Sequence, residues 1–126
     1  MDVKLEMFRN ETENVAFGPG EAIFHEGDSG DAMYVVLEGE VEISIGGEPV
    51  ETLVAGEPFG EMALIDQAPR IVTAIAKKPT VLASIPLKRF LYMVEETPYF
   101  SVQIMKVMAE RLRTLNTWRM SHVSAR

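Results

Sequence analysis

The hydrophobic pattern of this chain changes its period once. Up to about residue 86, apolar positions come in short runs separated by turn residues roughly every eight to twelve positions, the spacing of β-strands. In GEVEISIGG, residues 39–47, Val41, Ile43 and Ile45 alternate with Glu40, Glu42 and Ser44. A period of two sends one set of side chains to a core and the other to water, which predicts a half-buried strand. Gly46-Gly47 closes the run with two residues suited to positive φ, as a tight hairpin turn requires. AMYVVLEG, residues 32–39, predicts the partner of that strand, and EGDSGD, residues 26–31, a loop between strands. IVTAIAKKPTVLASIP, residues 71–86, predicts two more strands broken at Lys78-Pro79. All nine glycines lie between Gly18 and Gly60, so the turn-rich half ends where the glycines do. The expected architecture over about residues 12–86 is an antiparallel β-barrel or jelly roll, a double-stranded β-helix.

Beyond that point the period is helical. Residues 86–94 read as a short helix with Pro86 in its first turn. A longer helix is expected after Thr97, an N-cap candidate with Pro98 at the first helical position. It runs past Trp118, with Phe100, Ile104, Val107, Met108, Leu112, Leu115 and Trp118 three or four apart. This stripe can cover the chain's own β-roll, pair with a second copy, or do both. The expected use is the first. Residues 1–126 thus read as one domain, mainly β, with helices over about 87–120.

Composition narrows the chemistry. The chain has no cysteine, which removes thiolate catalysis, redox chemistry and cysteine-based zinc sites. Its two histidines, His25 and His122, are far apart, so neither a metal site nor a metal cofactor is expected. No apolar run reaches the roughly 18–20 residues needed to span a bilayer. The N-terminal MDVKLEMFRNETEN lacks the apolar centre of a signal peptide. A cytoplasmic protein without a membrane partner is expected. The net charge of −7 is unevenly divided: residues 1–69 carry sixteen acidic and two basic side chains, residues 70–126 three and ten. An acidic half of this kind argues against direct nucleic-acid binding, which relies on a basic face. The split reads either as solvated faces or as a dipolar surface that aids docking.

One phrase carries chemistry: FGEMALIDQAPR, residues 59–70. Arg70 is the first positive charge after Arg9, with sixty residues between them. A short helix begun at Gly60 leaves backbone N–H groups unpaired at its start, a ready site for an anion. Arg70, returned by the turn at residues 66–69, would add a charge-assisted contact to a phosphate. Glu61 repels a phosphate but accepts hydrogen bonds, so its natural partner beside one is a sugar hydroxyl. Together these describe a nucleotide. On residue chemistry alone a structural reading stands beside it: Glu61 favours a helix first turn, and Arg70 pairs with Glu61 or Asp66.

The phrase resembles the phosphate-binding cassette of the cyclic nucleotide-binding domain family, F-G-E-[LM]-A-L-x-x-x-x-P-R-[AST]-A-[ST]. GEAIFHEGDSGDAMYVVLEGEVEI, upstream, resembles the same family from its second strand through the Gly-Asp loop. The likeness covers about residues 17–76, with the cassette at 59–73. It implies that Gly60, Glu61, Met62 and Ala63 surround a cyclic phosphate, with the backbone of Ile71 and Val72 beyond them. It also implies that Glu61 takes the ribose 2′-hydroxyl and Arg70 the exocyclic phosphate oxygens. The family usually places Ala, Ser or Thr after the arginine, and this chain has Ile71. Without a hydroxyl there, cyclic AMP is expected over cyclic GMP as the ligand. In the activator branch a Thr-Ser pair of the long helix reaches the base. Aligned through MAERL, the matching residues are Leu115, which can only pack, and Asn116, which can hydrogen-bond a purine edge. Trp118 is a second candidate for the base, as a stacking lid, with Tyr34 and Tyr99 weaker ones.

The resemblance implies a stand-alone cyclic nucleotide receptor that signals through its C-terminal helix to an effector protein or a second subunit. No helix-turn-helix, kinase or channel element is expected with it. The alternative is a protein-interaction module that keeps the fold without the ligand. An enzyme is not expected, because no general acid–base pair or nucleophile accompanies Glu61.

Overall fold

The computed structural model describes residues 13–123. The ends of the 1–126 domain, and the start of the β-roll at about residue 12, lie outside them. Two four-stranded antiparallel sheets face each other. One has the order β1 (Glu13–Phe17), β8 (Thr80–Pro86), β3 (Ala32–Glu38), β6 (Pro58–Phe59). The other runs β2 (Ala22–Phe24), β7 (Thr73–Ala76), β4 (Glu40–Ile45), β5 (Glu48–Val54). The sheets keep free edges and do not close into a barrel; of the two predicted descriptions, the jelly roll fits. Three helices complete the described chain: α1 (Glu61–Asp66), α2 (Leu87–Glu96) and α3 (Pro98–Val123).

The hairpin expected at Gly46-Gly47 joins β4 to β5, with φ of 58° and 83°. The partner expected for β4 is different in the structure. β3 pairs with β6 and β8, and β4 with β5 and β7. The cause is the residue between them. Gly39 has φ 99°, and this left-handed bend sends the chain from one sheet to the other instead of back along the first. A Cβ at this position would lie 2.6 Å from the Pro79 carbonyl oxygen and 2.7 Å from Thr80 Cα, so the crossing is tightly packed as well as bent.

The alternation in β4 holds through Val41 and Ile43, both buried, and then reverses: Ser44 is buried and Ile45 is not. The pairing with β5 shifts register at the same point, between Ile43 and Ser44, where Val50 is an extra residue on the facing strand. β3 is buried on both faces. Met33, Val35 and Leu37 pack under the helices with Phe90, Met93, Phe100 and Ile104. Val36 points between the sheets, among Phe24, Val41, Leu53, Phe59 and Leu82. An apolar run rather than an alternating one is the sequence mark of such a strand.

Pro86 stands immediately before α2, in an extended conformation with ψ 165°. Thr97 joins the last two helices: its N–H donates to Met93 O at 2.8 Å, and its carbonyl accepts from Phe100 N at 2.8 Å. The stripe predicted along α3 is buried in its first half, at Phe100, Ile104 and Val107. Further on the helix outruns the sheet, and Leu112 is 59% exposed.

Candidate functional site

α1 begins directly after β6, with Gly60 as its N-cap at φ 81°. A Cβ on Gly60 would lie 2.7 Å from Arg70 Nη1, so glycine here makes room for the guanidinium as well as for the bend. Gln67, at φ 54°, ends the helix, and Ala68 N donates to Ala63 O at 3.2 Å. That turn returns the chain so that Arg70 lies beneath α1. Its backbone is fastened to the β2–β3 loop, with Arg70 N donating to Asp28 O and Gly27 N to Arg70 O, both at 2.8 Å.

The Arg70 side chain does not pair with Glu61 or Asp66. Nη1 donates to Gly60 O at 2.8 Å and Nη2 to Ala32 O. The guanidinium lies 4.1 Å over the Phe24 ring, a cation–π contact in a residue only 4% exposed. Its Nε is buried without a hydrogen-bond partner. Burial pulls its pKa down, opposed by Tyr34 and Asp31.

Glu61 is 1% exposed, and neither carboxylate oxygen accepts a hydrogen bond among the described residues. Burial pushes the carboxyl above its ordinary pKa, and Arg111 is the main opposing influence. Arg111 reaches in from α3. Its Nε lies 3.6 Å from Glu61 Oε1, Nη1 donates to both oxygens of Glu51 at 3.0 and 2.9 Å, and Nη2 donates to Pro58 O. A buried carboxylate without hydrogen bonds is costly unless something else uses its lone pairs.

These groups share one pocket of about 530 Å³, counted to its open mouth. Gly60, Glu61, Met62, Ala63, Arg70, Ile71 and Val72 all line it. Phe24, Ile43, Val50 and Phe59 form its apolar walls, and Arg111, Thr114 and Leu115 of α3 close one side. A largely apolar cleft with a few convergent polar groups suits a small ligand. The residues fit a cyclic nucleotide: a buried cation with an unused N–H for the phosphate, and a buried carboxylate with unused lone pairs for hydroxyls.

The base candidates are placed differently. Asn116 is exposed and does not line the pocket; its Oδ1 accepts from Arg119 at 3.3 Å. Trp118 lines a neighbouring cleft with Pro49, Val50, Arg113, Thr114 and Thr117. Tyr34 stacks on Phe59 beneath the pocket at 5.5 Å, and Tyr99 is 61% exposed at the start of α3. Sequence reading missed Arg111, Glu51 and Thr114. For Arg111 a signal was present: it interrupts the apolar face one turn after Val107 and one turn before Leu115, and a charge on a packed face needs a partner.

The fold and the pocket together define a cyclic nucleotide-binding domain. Residues 14–97, more than half of the chain, match the cyclic nucleotide-binding domain family, and the chain belongs to it. It is 44% identical over 69 residues to a cGMP-dependent protein kinase of Toxoplasma gondii, covering 55% of this chain and 7% of the kinase. It is 33% identical over 99 residues to the Cyclic AMP receptor protein of Thermus thermophilus, covering 75% of this chain and 46% of that protein. Among solved structures, the Thermus thermophilus Catabolite Activator Protein superposes with a TM-score of 0.80 at 26% identity, covering 95% of this chain and 58% of that one. The chain thus spans less than half the length of these two curated relatives.

Proposed function

We propose that this protein is a cyclic nucleotide receptor that prefers cyclic AMP to cyclic GMP and transmits binding through α3. The observation that carries this reading is the pair of buried polar groups on one pocket wall: Glu61 with both oxygens free of hydrogen bonds and Arg70 with a free Nε. Gly60, Glu61, Met62 and Ala63 would surround the phosphate, with Arg70 and the backbone of Ile71 and Val72, and Glu61 would take the ribose. The preference for cyclic AMP rests on position 71, where Ile71 has no hydroxyl to offer a guanine. Trp118, in the adjoining cleft, is our candidate for a base contact; Asn116 is too far round the helix to serve the same pocket. Binding, not catalysis, is the role we assign, because the guanidinium groups of Arg111 and Arg70 flank Glu61 and the neighbouring carboxylate, Glu51, is engaged by Arg111. We place the receptor in the cytoplasm.

Calorimetry with cyclic AMP, cyclic GMP and 2′-deoxy cyclic AMP tests the reading. Heat with cyclic AMP is expected; no heat with any ligand at millimolar concentration would reject the receptor and leave the ligand-free interaction module. Glu61→Gln is expected to narrow the gap between cyclic AMP and its 2′-deoxy analogue about tenfold, the worth of one hydrogen bond to a charged group. A preserved gap would remove Glu61 from the ribose.

Because Arg111, Thr114 and Leu115 line the pocket, a bound ligand touches α3 itself, which gives the helix the differential contact a signal needs. For the receiver we propose a second copy of the chain. Val102, Met105, Ala109, Leu112 and Asn116 are all exposed on α3 and spaced three, four, three, four, a heptad seam with one polar position. A parallel pairing sets Lys106 and Arg113, which flank the seam, against Ser101 and Met108; an antiparallel one brings the two cations together. Light scattering is expected to find a dimer that Leu112→Glu converts to monomer. A wild-type monomer, with and without ligand, would refute the pairing.

A further inference from the structure

Arg111 has two carboxylates within reach and hydrogen-bonds only one. Nη1 donates to both oxygens of Glu51, at 3.0 and 2.9 Å, and Nη2 to the Pro58 carbonyl. Nε stops 3.6 Å from Glu61 Oε1, beyond hydrogen-bond distance. Yet Glu61 is the less hydrated carboxylate, its side chain 1% exposed against 25% for Glu51. Attraction between charges strengthens as water is removed, so an unrestrained guanidinium would settle on Glu61. The restraint is geometric. A guanidinium is a rigid plane, and Glu51, on the edge strand β5 at the pocket wall, and Pro58, at the head of β6, hold two of its nitrogens.

We propose that Glu51 is a positioning residue for ligand recognition: by engaging Arg111 it keeps the guanidinium from capping Glu61, so that both Glu61 oxygens remain acceptors for a ribose hydroxyl. This rests on the cyclic nucleotide reading of the pocket and adds a residue to it. Arg111 then serves Glu61 as a nearby charge without occupying its lone pairs. At 3.6 Å it opposes the rise in carboxyl pKa that burial causes. Glu51 is thus part of the site although it need not touch the ligand's sugar.

The test is Glu51→Gln, which keeps the shape and removes the charge. The readout is the ratio of dissociation constants for the 2′-deoxy and ribose forms of whichever nucleotide, cyclic AMP or cyclic GMP, binds the tighter. The ratio is expected to fall about tenfold, the worth of one hydrogen bond, while the 2′-deoxy ligand binds within about twofold of wild type. In an Arg111→Gln background, Glu51→Gln is expected to leave the ratio where it is, because Glu51 acts through Arg111. An unchanged ratio in Glu51→Gln, or an equal further fall in the Arg111→Gln background, overturns the proposal. So does parallel loss of both ligands, which would make Glu51 a brace for the fold. A wild-type protein that binds no cyclic nucleotide would instead reject the reading of the pocket itself.

Discussion

Arg70→Ala is expected to weaken cyclic nucleotide binding by about tenfold to a hundredfold, from the loss of about 1.5–3 kcal/mol for hydrogen bonds to a charged group. The structure makes two contributions separable. The guanidinium holds the pocket together by donating to Gly60 O and Ala32 O and by lying over Phe24. It also brings the buried Nε, which has no hydrogen-bond partner among the described residues. Arg70→Lys keeps the charge and gives up the planar fork, so it should retain part of the affinity while losing the grip on the two carbonyls. Calorimetry measures the first effect and denaturant unfolding the second. Weakened folding with unchanged affinity would mean that Arg70 is a structural clasp and that the phosphate is held by backbone alone.

Gly39→Ala is expected to destabilise the fold by about 3 kcal/mol or more. A left-handed φ costs a non-glycine residue about 1–3 kcal/mol. The added Cβ also meets backbone: 2.6 Å from Pro79 O and 2.7 Å from Thr80 Cα, neither of which is the free end of a flexible side chain. Thr80 is itself fixed, 2% exposed, with its Oγ1 donating to Lys78 O at 2.7 Å and accepting from Glu40 N at 3.2 Å. Denaturant unfolding of the variant checks this, and a loss below about 0.5 kcal/mol would show that the crossing between the sheets relaxes at little cost.

The distinction between local and distant interactions separates what was legible in the sequence from what was not. Strand runs, the Gly46-Gly47 hairpin, the short helix at Glu61 and the long helix after Pro98 depend on neighbours a few positions away, and periodicity and turn chemistry report those directly. The cassette was legible for the same reason, since residues 59–73 are continuous and all seven predicted residues meet at one pocket. Strand pairing was not. β3 and β4 are consecutive and separated by a single residue, and only the left-handed Gly39 assigns them to different sheets.

The far wall of the pocket is the clearest case. Glu51 lies sixty positions before Arg111, and nothing local in either segment announces the other. Asn116 and Thr114 differ by two positions, yet a rotation of about 200° along a helix puts Thr114 on the pocket and Asn116 in solvent. The sequence by itself determined the elements, their order and the cassette residues that line the pocket. Only the tertiary structure decided which sheet each strand joins, which face of α3 closes the pocket, and that one arginine stands between two carboxylates. Those outcomes depend on packing between segments far apart in the chain, where a single residue's bend or a helix's rotation selects the partner.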